Sequence, residues 1–208
     1  NELSTRYHEG PAMFYSQFER MILNRNQTAT VEGRENVYER RLALYDALFD
    51  EKNSRWDVAP LPFNEVAYSF AHPSISEDGN TLYFISDKPG GYGGTDIYRV
   101  LRKDSVWGKP FNLGPVINTA ENEVFPYLIN NTLYFASNGH GGLGGTDLFQ
   151  CSKTMNGFSP PVNLGYPLNS TADDFSLIAT MDQRTGYFAS ARNGNDDLFS
   201  FSKPFPKI

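Results

Sequence analysis

The feature that most constrains this 208-residue chain is that it repeats itself. Thr81-Leu82-Tyr83-Phe84-Ile85-Ser86 returns as Thr132-Leu133-Tyr134-Phe135-Ala136-Ser137 and, in weaker form, as Gly186-Tyr187-Phe188-Ala189-Ser190. The first two copies lead into Gly-Gly-x-Gly-Gly-Thr-Asp. Its members are Gly90, Gly91, Gly93, Gly94 and Asp96, then Gly141, Gly142, Gly144, Gly145 and Asp147. Asp96-Ile97-Tyr98, Asp147-Leu148-Phe149 and Asp197-Leu198-Phe199 follow at steps of 51 and 50 residues. Phe111-Asn112-Leu113-Gly114 is echoed by Val162-Asn163-Leu164-Gly165. Self-similarity at one period marks an architecture whose units bury their faces against one another.

Each unit holds four short strand candidates. In the second unit they are Ser69–Ile75, Thr81–Ser86, Thr95–Leu101 and Asn112–Ile117. Ser76-Glu77-Asp78-Gly79-Asn80 supplies Asp-Gly turn chemistry between the first two. Leu82-Tyr83-Phe84-Ile85 does not alternate apolar with polar, which predicts a strand covered on both faces. A four-stranded sheet covered on both faces and repeated is a propeller blade. The predicted fold is therefore an all-β propeller of antiparallel blades, with units near residues 4–63, 64–117, 118–168 and 169–203 and an exit linker at 204–208. Ser4-Thr5 before Glu9 and Pro11 resembles Asn118-Thr119 before Glu123 and Pro126, which predicts a larger propeller with a further blade outside this chain.

The first unit is worn. Pro11 aligns with Pro73 and Pro126, Met21–Asn24 with Leu82–Ile85, and Leu44-Tyr45 with Ile97-Tyr98. Its extra length, between Asn26 and Arg40, is polar and predicts a long mobile insertion. Val37–Phe49 fits a helical stripe as well as a strand, and the repeat alignment favours strand.

The net charge of −6 argues against a nucleic-acid binder, which needs a basic face, and leaves only a local basic patch open. No run of 18 apolar residues predicts a membrane span. Asn1-Glu2-Leu3-Ser4 is not followed by the apolar segment of a signal peptide, so an export signal would lie outside this chain. The single cysteine, Cys151, reads as a buried small hydrophobe.

The string "HPSISEDGNTLYFISDKPGGYGGTDIY" resembles the WD-like repeat of TolB-type propellers. More closely, it is similar to the propeller of OmpA-family proteins from Bacteroidetes, and "YHEGPAMF" and "LPFN" fit the same pattern. The resemblance implies helical repeats before the propeller and a peptidoglycan-binding domain after it. Its PorE-like members are outer-membrane lipoproteins of the type IX secretion and gliding machinery. By that resemblance the chain would be a periplasmic, outer-membrane-associated scaffold with protein partners, reaching peptidoglycan only through a domain not in this chain. The fourth unit departs from the pattern by shortening the glycine loop to Arg192-Asn193-Gly194-Asn195-Asp196.

The glycine loops read first as turn geometry, because a phosphate cradle would want a following Lys-Ser/Thr and a helix. Asp96, Asp147 and Asp197 read as carboxylates that accept backbone N–H groups of the adjacent loop. One carboxylate per blade is too few for calcium. His8, His72 and His140 lack the spacing of a zinc site, so no metal and no cofactor is expected. Trp56 and Trp107 read as packing at the blade edge.

Loops Asp87–Gly94, Asn138–Gly145 and Arg192–Asp196 should share one face with the acidic crossings Glu65–Tyr68, Asn118–Glu123 and Ser170–Asp174. That face is the expected partner-binding surface, with Tyr92, His140, Leu143, Arg192, Glu121 and Glu123 as contacts. The competing expectation is a glycan- or peptide-processing enzyme using carboxylates among Glu65, Glu121, Glu123, Asp173 and Asp174. A purely structural spacer is the third.

Overall fold

The computed structural model describes residues 3, 9–30 and 38–203. Among these there is no helix. Seventeen strands form four antiparallel sheets, the fold of a four-bladed β-propeller. The chain divides into two compact units. One comprises Asn1–Gly91 with Ile97–Asn112, and the other comprises Tyr92–Asp96 with Leu113–Ile208.

The first unit holds sheets one and two. Sheet one is β1 (Glu9–Tyr15), β2 (Arg20–Thr30), β3 (Tyr38–Asp50) and β4 (Arg55–Pro60), in sequential order. Sheet two is β5 (Phe70–Ile75), β6 (Thr81–Ser86), β7 (Asp96–Lys103) and β8 (Val106–Trp107), with β9 (Phe111–Asn112) also pairing with β7. The core is built by Ile22, Leu44 and Tyr15 of sheet one against Phe70, Ile75, Leu82, Phe84 and Val100 of sheet two. A second cluster, Met21, Leu23 and Ala47, covers the opposite face of sheet one. The unbroken apolar run of β6 is buried on both sides because its alternate residues serve two faces.

The second unit holds sheets three and four. Sheet three is β10 (Glu123–Ile129), β11 (Thr132–Ser137), β12 (Asp147–Thr154) and β13 (Gly157–Phe158), with β14 (Val162–Asn163) on β12. Sheet four is β15 (Asp174–Ala179), β16 (Thr185–Ser190) and β17 (Asp197–Ser202). Tyr134, Ala136 and Leu148 of sheet three pack on Leu177 and Phe188 of sheet four.

One expectation holds and two change. The stretch Val37–Phe49 is strand in its described part. The expected insertion is a hairpin extension, since β2 and β3 stay paired out to Thr30↔Tyr38; only 31–37 of it lie outside the described residues. The fourth strand of the second unit is shorter than Asn112–Ile117. It ends at Asn112 because Gly114 turns the chain at φ 85°, and Val106–Trp107 adds a separate short partner to β7. The proposed exit linker, 204–208, and His8 lie outside the described residues.

The opening strand of every sheet carries a bulge. Register shifts fall between Glu9 and Ala12, Ala71 and Ser74, Val124 and Tyr127, and Phe175 and Ile178. In the last three sheets the bulge residue is non-glycine with positive φ: His72 (49°), Phe125 (51°) and Ser176 (56°). In sheets two and three a proline follows it. Proline has no N–H for the ladder, so a bulge is where a strand can hold one.

Candidate functional site

The predicted contact residues all belong to the second unit, whose glycine loops carry part of the surface. Asp96 opens β7 with its carboxylate turned back into the loop, where it accepts N–H bonds from Tyr92 at 2.6 Å and Gly93 at 3.2 Å. Asp147 does the same for Leu143 at 2.6 Å and Gly144 at 3.2 Å. Two loops fifty-one residues apart in sequence are thus held by one device. Asp197 differs. It is exposed, and its one described side-chain partner is Asn193, whose amide donates to it at 3.3 Å.

Each loop then docks on the crossing that enters the following sheet. Gly94 donates to the Glu121 carbonyl at 2.7 Å, Thr95 donates to the Asn122 side chain at 3.1 Å, and Glu123 donates back to the Thr95 carbonyl at 2.8 Å. In the next repeat Thr146 donates to Asp173 at 2.7 Å and Asp174 donates to the Thr146 carbonyl at 2.7 Å. Glycine is required here for close approach. A Cβ on Gly93 would stand 2.2 Å from the Glu121 carbonyl oxygen, and one on Gly144 would stand 2.0 Å from that of Ala172. Each loop is therefore packed backbone to backbone on the crossing beside it.

The loops present two large side chains. Tyr92 and Leu143 occupy equivalent loop positions and are 50% and 53% exposed. Glu121 is also exposed.

The other three predicted contacts turn inward. Glu123 has no exposed surface. Its carboxylate accepts the Thr119 N–H at 2.8 Å and the hydroxyls of Thr119 and Ser137, both at 2.7 Å. Asp174, its counterpart, is equally buried and accepts from Ser170 N–H at 2.6 Å, the Ser170 hydroxyl at 2.8 Å and Arg192 at 2.8 Å. Burial pushes the Asp174 carboxyl up, but hydrogen bonds from Ser190, Arg192 and Ser170 outweigh it and hold the group below the usual carboxylate range.

His140 lies against Phe135 and Phe149, with Nε2 2.8 Å from the Ile117 carbonyl. Because a carbonyl only accepts, that nitrogen carries the proton. Arg192 takes the same place one repeat on. Its guanidinium covers Phe188 and Phe199 at 5.2 and 4.8 Å and donates to the carbonyls of Pro167 and Leu168. Both side chains cap a stacked aromatic pair and tie down the chain entering the next sheet. The loop position that suggested a contact residue is a strut.

A recurring asparagine escaped the sequence reading. Asn64 brackets Leu44, accepting from its N–H at 3.0 Å and donating to its carbonyl at 2.7 Å. Asn169 brackets Leu148 in the same way at 2.8 and 2.9 Å. Asn118 recurs between them and is buried. The signal was a lone polar residue at repeat spacing just after the fourth strand.

The remaining expected structural residues behave simply. Trp56 packs with Phe14 and Phe49, and Trp107 packs under Arg102. Cys151 is buried, and burial pushes its thiol up to about 12. No cluster of three or more His, Cys, Asp or Glu able to hold a metal occurs among the described residues. No helix among them is long and apolar enough to cross a membrane.

No protein-family model and no curated protein matches the chain. Solved structures do. A puromycin-hydrolyzing peptidase of Mycobacterium tuberculosis is similar at a TM-score of 0.58 and 14% identity, over 94% of this chain and 30% of its own. Prolyl oligopeptidase B of Galerina marginata is similar at 0.53 and 11%, over 95% of this chain and 26% of its own. An α-L-arabinofuranosidase of Lactobacillus brevis is similar at 0.55 and 9%, over 92% of this chain and 70% of its own. At these identities the likeness shows the fold alone. The chain spans less than a third of the length of the two peptidases.

Proposed function

We propose that the chain is a non-catalytic, protein-binding propeller module. It captures a protein partner or an extended peptide segment through the apices of its glycine loops. The observation that carries this reading is the pair Tyr92 and Leu143, half-exposed at equivalent positions on loops whose backbones are pinned by Asp96 and Asp147. Large apolar side chains on a rigid backbone bind at low entropic cost, and tyrosine is enriched among residues that dominate interface energy. The resemblance of the repeat to the OmpA-family propeller supplies the setting. That setting is the periplasmic side of an outer membrane, in a secretion or gliding complex that reaches peptidoglycan through a separate domain.

The carboxylates offered for catalysis give the enzyme reading little support. Glu123 and Asp174 are buried and occupied by hydrogen bonds, whereas Glu121 and Asp173 sit at the surface. The test is the double variant Tyr92→Ala/Leu143→Ala, compared with the parent in crosslinked capture from a solubilised envelope fraction. Capture should fall roughly tenfold or more, as expected when two central contacts are truncated. Tm should stay within about 2 °C, since neither side chain is in the core. Unchanged capture refutes the assignment, and turnover of peptidoglycan or polysaccharide fragments by the parent would favour the enzyme.

A further inference from the structure

Within the first unit, sheets one and two meet at their turn end around one carboxylate and two guanidinium groups. The Ser16 N–H donates to the Glu77 carbonyl at 3.4 Å, which brings the β1–β2 turn onto the β5–β6 turn. The Arg102 N–H donates to the Asn80 carbonyl at 2.8 Å, which adds the end of β7. Asp46, on β3, is enclosed here with its side chain 12% exposed. Its Oδ1 accepts the Tyr15 hydroxyl at 2.9 Å, and its Oδ2 accepts from Arg20 Nη2. Arg20 Nε reaches Oδ1 at 3.4 Å, so Arg20 and Asp46 pair as a fork.

Arg102 is the odd member. Its side chain is only 15% exposed, and its guanidinium lies 5.4 Å from the centre of the Trp107 ring. Its Nη1 stands 4.0 Å from Asp46 Oδ2, beyond hydrogen-bond reach. Nε is shielded from solvent and has no acceptor, and no other N–H of this guanidinium has one among the described residues. A permanently charged fork of donors therefore goes unmatched, and two guanidinium groups on one carboxylate leave one positive charge over. Charges withdrawn from water are ordinarily paired and hydrogen-bonded, because leaving them unpaired is costly. The other repeats avoid that cost. Lys153 and Lys203 hold the same place, donating their N–H groups to the carbonyls of Asn131 and Arg184, both at 2.7 Å, and both are exposed. Of the three, Arg102 alone is covered. Several acids of its unit are engaged elsewhere: Asp57 with Arg55, Glu65 with Lys88, Asp87 with Arg41, and Asp78 with Ser76 and Asn80.

We propose that Arg102 anchors an oxyanion site. It takes the carboxylate or phosphate group of a small molecule, whose oxygens meet the unmatched N–H edge in the guanidinium plane while Trp107 backs the guanidinium face. Arg20 stays locked on Asp46 and contributes only its charge. An oxyanion of this kind supplies both the missing acceptors and the missing negative charge, and the planar fork suits it better than an ammonium group would. All of these residues belong to the first unit, whereas Tyr92 and Leu143 belong to the second, so the site does not depend on the loop-apex reading.

The probes are sodium acetate and inorganic phosphate, titrated into the full chain at constant ionic strength with sodium chloride as the balancing salt. Trp107 fluorescence is the readout, in a Trp56→Phe background that leaves it the sole tryptophan. A saturable change with half-effect at about 1 mM or below is expected for at least one probe, and the tighter of the two assigns the group as carboxylate or phosphate. Arg102→Gln should abolish the response. Arg102→Lys keeps the charge and loses the fork; it should weaken binding about tenfold and decides the matter if the glutamine variant fails to fold. The absence of a saturable response to either probe overturns the proposal, as does a response that the Arg102 variants leave unchanged. A response that appears only after Glu2→Gln, Glu32→Gln and Glu35→Gln also overturns it, because a carboxylate of this same chain would then be the occupant.

Discussion

Replacing Glu123 by alanine should destabilise the second unit far more than any surface acid would. Three donors converge on this carboxylate: the Thr119 N–H and the hydroxyls of Thr119 and Ser137. A hydrogen bond to a charged group contributes roughly 1.5–3 kcal/mol net, and a donor stranded in the interior costs about as much again. Ser137 is buried and would be stranded, whereas Thr119 is only half-buried and can recover water. Discounting the two Thr119 bonds on that ground leaves a loss of about 4 kcal/mol, which for a chain of this length lowers Tm by roughly 8–16 °C. Glu123→Gln keeps one acceptor oxygen and turns an amide toward donors, so it should lose about 2 kcal/mol. Glu121→Ala, two residues away and exposed, should stay within about 0.5 kcal/mol. The assay is urea unfolding at pH 7, with the midpoint compared at constant slope. If Glu123→Ala unfolds within about 1 kcal/mol of the parent, the buried carboxylate is not the organiser of this crossing, and a chemical role for it returns to consideration.

Two further outcomes follow from the same geometry. Gly144→Ala forces a Cβ against the backbone carbonyls of Ala172 and Ser170, where nothing can move aside cheaply, and should cost about 2–3 kcal/mol; Gly141→Ala, with open space around the same atom, should be near neutral by the same unfolding measurement. His72 is held neutral by burial, which lowers its pKa from 6.5 to about 4. The unfolded chain therefore takes up a proton that the folded one refuses. The associated stability is complete above pH 6.5 and falls by up to about 3 kcal/mol as pH drops to 4. His72→Asn, which tolerates the positive φ at this bulge, should flatten that part of the stability–pH curve, and an unchanged slope would contradict it.

The elements legible from residues alone were those whose own pattern decides them. The run Leu82–Ile85 and its copy Leu133–Ala136 are strands covered on both faces, as their unbroken apolar pattern demands, and the aspartates opening the third strands do hold the loops in the first two repeats. The fourth strand was placed too far along because Asn112–Ile117 looks continuous in composition, while Gly114 ends it by conformation. The polar stretch after Asn26 looked like loose chain because neither face of a solvated hairpin arm needs apolar residues; its order comes from pairing with the partner strand, which no local pattern records.

His140 and Arg192 show a different obstacle. Their positions in loops were read correctly, but their partners, an aromatic pair and a backbone carbonyl some two dozen residues back, are supplied by the fold. A histidine and an arginine perform one mechanical task in successive repeats, so residue identity alone hides the equivalence. Leu148 and Leu198 carry the argument further. They occupy the same position of the same motif, on strands with matching register, and one is buried while the other is largely exposed. Burial here is a property of what lies beside the sheet. In repeat proteins each unit borrows its stability from a neighbour, so equivalent residues of one motif need not be equally covered.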